Sequence, residues 1–186
     1  MVQTPSVPYK QLMEDLLSAS QDRQNEAFHA LVKASDSPVD WAYEVWNDLL
    51  GIVQHGDNRQ RSIAAQVLSN LAKSDSKERM RRDLPALLKV TKDERFVTAR
   101  HCLQSLWKIG VVGEALRNAL LKGLAARFQE CAAEKNCTLI RHDILVVLRR
   151  VYDVAKDEHI RSTAERLIAM EEDPKYRKKY ATVWRK

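Results

Sequence analysis

The sequence predicts an all-α protein, a stack of about four helix pairs and roughly nine helices in which each pair packs on the next. Three observations predict it. Apolar residues recur at helical spacing along most of the chain. The 186 residues include only five glycines and five prolines, too few for an all-β fold rich in tight turns. The sequence also superposes on itself at a shift of 35 residues, the length of a two-helix repeat.

Short helices are expected over 8–18 and 21–34. The next, over 38–54, carries Ala42, Val45, Trp46, Leu49, Leu50 and Val53 on one stripe; Ser37 is its expected N-cap and Pro38 its first residue. Over 57–72 the stripe is Ala64, Val67, Leu68, Leu71 and Ala72. Breaks at 73–76 and 91–93 bound the next helix, and 94–109 repeats the pattern with Phe96, Ala99, Cys102, Leu103 and Leu106. The long segment 113–134 carries Leu116, Leu120, Leu124 and Phe128 but falls outside the repeat period, so it is either an inserted helix or part of a repeat. Residues 139–154 are apolar on several sides, as in a helix buried between neighbours, and 157–171 closes the series. Every connection is short, which places consecutive helices antiparallel.

The shift of 35 residues places Asp48 on Asp83, Leu49 on Leu84, Ala64 on Ala99 and Leu68 on Leu103. A shift of 100 places Asp57 on Asp157, Arg61 on Arg161 and Ala64 on Ala164. A small residue at these three alanine positions lets paired helices approach closely. Each Asp is expected to cap a helix and each Arg to bond to a neighbouring turn. The fullest unit is DLPALLKVTKDERFVTARHCLQSL, residues 83–106. It combines a Leu-Pro and Leu-Leu first helix, an Asp turn, and a second helix with an Ala-x-x-small-Leu pattern. KDEHIRSTAERLI, residues 156–168, repeats the second-helix pattern. At these residues the chain resembles the HEAT repeats. The resemblance covers about residues 10–172 and implies a right-handed, armadillo-like α-solenoid, a fold that specifies packing rather than an activity.

This reading divides the chain into a flexible segment 1–7, one solenoid domain over 8–172, and a basic aromatic tail over 173–186. The formal charge of +6 lies entirely in the tail. Lys175, Arg177, Lys178, Lys179, Arg185 and Lys186 account for six of 31 basic residues, and the remaining 25 equal the 25 acids, all of which precede them. A neutral body argues against a strong phosphate channel. Read as a helix, the tail aligns Tyr176, Tyr180, Val183 and Trp184 on one stripe. Capping of its own solenoid end is favoured, and docking to a partner's groove or to an anionic surface through Lys175, Arg177, Lys178, Lys179 and Trp184 is the alternative.

No apolar run is long enough to span a membrane, no secretory leader is expected, and three cysteines point to a reducing cytoplasm. No phosphate-loop, dinucleotide, nucleophile-elbow or paired-acid motif occurs, so neither catalysis nor a cofactor is expected. Cys131 and Cys137 precede His142, with Glu134 or Asp143 as conceivable fourth ligands. Their spacing matches no zinc pattern, and no metal is expected. The candidate partner contacts are Arg95, Arg100, Lys108 and Arg161 on second helices, with Trp41 and Trp107. Each tryptophan either lines a groove or covers a helix–helix seam, and the buried flanks of stacked helices favour the seam. The expected function is therefore a non-enzymatic scaffold binding a protein or peptide. The alternative, implied by the HEAT resemblance, is nucleic-acid binding or base repair akin to alkylpurine DNA glycosylases. No acid or tryptophan here aligns with that family's site.

Overall fold

The computed structural model describes residues 8–185. The expected flexible segment 1–7 and the last tail cation, Lys186, fall outside the described residues. Among those residues every regular element is helical: α1 (Tyr9–Leu16), α2 (Gln21–Ala34), α3 (Ala42–His55), α4 (Asn58–Leu71), α5 (Arg79–Val90), α6 (Phe96–Ser105), α7 (Trp107–Gly110), α8 (Glu114–Glu130), α9 (Cys137–Ala155), α10 (Glu158–Ala169) and α11 (Pro174–Trp184). No described helix is long and apolar enough to cross a membrane.

Helix starts follow local chemistry. Asp57 accepts from the backbone N–H of Gln60 while Gln60 reaches back to Asp57, a complete capping box. Asp157 and Asp173 cap α10 and α11 through the N–H groups of His159 and Lys175, and Pro174 opens α11. Arg61, as expected, bonds to neighbouring turns: its Nε donates to Asp93 at 2.7 Å and its Nη1 to the Gly56 carbonyl at 2.7 Å. Arg161 departs from that pattern, lying 3.6 Å from Glu158 on its own helix, while Arg117 takes the Asp157 carboxylate at 3.1 Å.

One expected start is corrected. Ser37 and Pro38 do not open α3, which begins at Ala42. The Val39 N–H donates to Ser74 Oγ at 3.0 Å, and the Trp41 ring stacks on Tyr9. These two tethers hold 38–41 against other parts of the chain and outweigh a local capping preference worth about 1 kcal/mol.

Contacts arrange the helices in two rows. In the first, α1, α3, α5, α8 and α10 each touch the next; in the second, α2, α4, α6, α9 and α11 do so. Across the rows α1 packs on α2, α3 on α4, α5 on α6, α8 on α9 and α10 on α11. The core between them includes Trp46, Leu68, Leu87, Leu103 and Leu148, all fully buried. Ala64 and Ala164 are fully buried and Ala99 is 5% exposed, the small positions of the repeat register.

The long helix α8 stands in the first row between α5 and α10. Gly123 faces α5 there: a Cβ would lie 2.4 Å from the Leu88 Cδ1 methyl. Arg127, only 2% exposed, then locks the end of α8. Its Nε donates to the Thr91 carbonyl at 3.1 Å, and its Nη atoms grip Glu134 at 2.5 and 2.8 Å.

Candidate functional site

The second row presents a recess of about 270 Å³ where α2, α4, α6, α7 and α9 converge. Its walls include Phe28, Val32, Gln66, Trp107, Lys108 and Arg150. Hydrogen bonds between helices fix it. Asn70 Nδ2 on α4 donates to the Val32 carbonyl at 3.0 Å and to Ser35 Oγ at 2.7 Å, tying α4 to α2. Ser105 Oγ donates to Ser69 Oγ at 3.0 Å, tying α6 to α4. Gly110 lets α7 approach α9, since a Cβ there would lie 2.8 Å from Val151.

Two expected contact residues, Trp107 and Lys108, meet in this recess. The Arg150 guanidinium lies 5.8 Å from the Trp107 ring centre. Burial pulls the Lys108 amine below its ordinary value and Lys73 pushes the same way; Asp36 opposes them, and Arg150 adds a smaller downward push. Lys73, in the turn after α4, is held by the Asp36 carbonyl at 3.0 Å.

The other expected cations are placed differently. Arg100 grips Asp143 at 2.7 and 3.3 Å, and Gln104 adds a third bond to the same carboxylate at 3.2 Å. The Asp143 side chain is 5% exposed, so the Arg100 charge is matched by a buried acid. Arg161 sits 4.9 Å over the Tyr152 ring. Beside it Arg149 bonds Asp153 at 2.8 Å and lies 5.7 Å from the Trp184 ring. Arg149 and Arg150, adjacent on α9, therefore face two separate clusters. Arg95 is exposed at the start of α6 and joins neither. Trp41 is 7% exposed and stacks on Tyr9 with ring centres 5.3 Å apart, so it covers a seam rather than lining a groove.

The tail forms α11 against α9 and α10. Tyr180 is fully buried; its hydroxyl donates to the Thr138 carbonyl at 3.0 Å, and its ring meets Phe128 edge-on. Tyr176 and Trp184 pack against the core, while Lys175, Arg177, Lys178, Lys179 and Arg185 are exposed. Arg177 also donates to the Glu171 carbonyl at 2.7 Å, closing the end of α10.

The residues weighed as metal ligands have other partners. Glu134 binds Arg127 and Asp143 binds Arg100. Cys131 and Cys137 are buried free thiols; burial, with Cys137 beside it, pushes the Cys131 thiol up to about 12. Among the described residues no three His, Cys, Asp or Glu gather as a metal site.

Two wider grooves run along the first row, about 790 Å³ between α1 and α3 and about 860 Å³ between α3 and α5. In the second, Arg61 pairs with Asp93 and Arg82 with Asp83, both at 2.7 Å. Asp83 also accepts from the indole of buried Trp46 at 2.9 Å. Sequence reasoning missed Phe28, Val32, Gln66 and Lys73 as neighbours of the recess; nothing in their spacing signals that they meet. No protein-family model matches this chain, and no curated protein matches it.

Proposed function

We propose that the chain is a HEAT-like α-solenoid, capped at one end by α11, that acts without catalysis as a scaffold and binds a protein partner on its second row of helices. The two continuous rows of contacts and the 35-residue register support the solenoid. The observation that carries the binding mode is the mixed sign of the second-row surface. Arg100 and Arg149 stand beside Asp143 and Asp153, whereas a phosphate-tracking surface is a continuous basic stripe. Three buried free thiols support a cytoplasmic setting.

A photo-crosslinking residue placed at the exposed His101, beside the recess, tests this in native extract. The same residue at Lys89 in the α3–α5 groove serves as control. Capture of one discrete protein from position 101, resistant to nuclease, is expected. Loss of the product after nuclease, or capture from position 89 alone, contradicts the reading. The second reading, nucleic-acid binding or base repair, is favoured by the exposed cations of α11. Crosslinks to nucleic acid from Lys178 and none to protein from position 101 decide for it.

A further inference from the structure

Many of the buried and half-buried arginines of this protein are matched by carboxylates, while Arg59 and Arg79 have neutral acceptors. Arg61 pairs with Asp93, Arg117 with Asp157, Arg127 with Glu134, Arg141 with Glu171 and Arg149 with Asp153. The recess has no such match: Lys108 there is half-buried and Arg150 is exposed. Lys108 and Arg150 both line it, and neither forms an ion pair among the described residues. Lys73 adds a third cation at the edge, its ammonium bonded to a carbonyl and to the Asn70 amide oxygen at 3.4 Å. Lys108 loses hydration in this partly apolar hollow and is repelled by Lys73 and, less strongly, by Arg150; Asp36 offsets part of this, and an anion in the recess would offset more.

We propose that the recess receives a glutamate or aspartate side chain from an acidic segment of the protein partner, the carboxylate lying between Lys108 and Arg150 and a neighbouring apolar side chain resting on Phe28 and Val32. The inference rests on the partner reading above and specifies its chemistry. A carboxylate is planar and matches the donor fork of a guanidinium. The apolar walls, Phe28, Val32 and the Trp107 ring, take the segment's uncharged part. The hollow, at about 270 Å³, admits side chains and excludes a helix or a duplex. Asp143 and Asp153 neutralise Arg100 and Arg149 on the same row, so an extended polyphosphate finds no continuous run of unmatched cations there.

The test is a titration of the ¹⁵N-labelled full chain with a short acetylated peptide of alternating glutamate and leucine. The Trp107 indole signal, assigned through Trp107→Phe, reports on the recess. The comparison probes are the same peptide with glutamine for glutamate, inorganic phosphate, and a single-stranded oligonucleotide of equal length. The acidic peptide is expected to move the Trp107 signal. Lys108→Gln and Arg150→Gln, each checked for an unchanged helical spectrum, are expected to weaken it by about tenfold, the cost of losing one charge-assisted contact. Reversal of Lys178 and Lys179 on α11 is expected to leave it within a factor of two. Equal affinity for the glutamine peptide, saturation by phosphate alone, or tighter binding of the oligonucleotide each overturns the proposal. If the peptide fails while crosslinks from position 101 still capture protein, the partner reading stands and this inference falls.

Discussion

The end of α8 and the recess at α7 hold similar cations in opposite circumstances. Arg127 is almost completely buried, yet both faces of its guanidinium fork are met by Glu134 and its Nε by the Thr91 carbonyl. Lys108 is less buried, and among the described residues no carboxylate meets it. The first arrangement ties α8 to the connections that follow α5 and α8; in the second, burial disfavours the charge of Lys108. A charge that the chain itself neutralises is structural, and a charge gathered with others and left unmatched is available to something outside. That difference separates architecture from site where no motif does.

The comparison is sharpened by breaking the matched side first. Tyr180→Ala is expected to have the largest effect, about 3–4 kcal/mol lost in urea unfolding, because it empties the fully buried contact of α11 with Phe128 and orphans the Thr138 carbonyl. An unchanged midpoint would mean that α11 contributes no cap. Arg127→Ala is expected to cost about 2–4 kcal/mol, since it removes a buried group with three acceptor atoms, two of them on a half-exposed carboxylate that regains water. Ala99→Leu is expected to cost about 1–3 kcal/mol by overpacking the α4–α6 crossing, and an unchanged melting temperature counts against the repeat register.

A smaller effect follows from pH. Burial of Asp83 pushes its carboxyl up, but hydrogen bonds from Arg82 and Trp46 and the nearby cations outweigh it and hold the group below its ordinary value. A carboxyl depressed in the folded state stabilises above its unfolded value, about 3.9, and loses that contribution as pH falls through the folded one. Asp83→Asn should therefore lower stability at neutral pH and flatten its decline below about pH 4. A decline as steep as in the parent protein would contradict the assignment.

Much of this architecture is legible in the residues. The helix over 21–34 and the buried stripe of α9 follow directly from apolar period, and the small-residue positions follow from the repeat register. What periodicity misses is set by pairs distant in sequence. The start of α3 is moved by Ser74, 35 residues away, and Arg100 finds Asp143 across 43 residues. The place of α8 brings Gly123 against Leu88, a contact that only packing defines. The recess is the extreme case. Phe28, Lys73, Lys108 and Arg150 come from four separate stretches, and charge alone does not tell a matched arginine such as Arg100 from an unmatched one such as Arg150.

The claim that Lys108 is held for binding rather than for folding is tested most directly by one variant read twice. Folding disfavours the charged form of this amine, so Lys108→Met removes a cost while keeping the aliphatic stem. The melting temperature should rise, by no more than about 2–4 °C, the scale of 1 kcal/mol in a chain of this size. Affinity for the glutamate–leucine peptide should fall in the same protein by about tenfold. A lower melting temperature with unchanged affinity would place Lys108 among the structural cations and contradict the account.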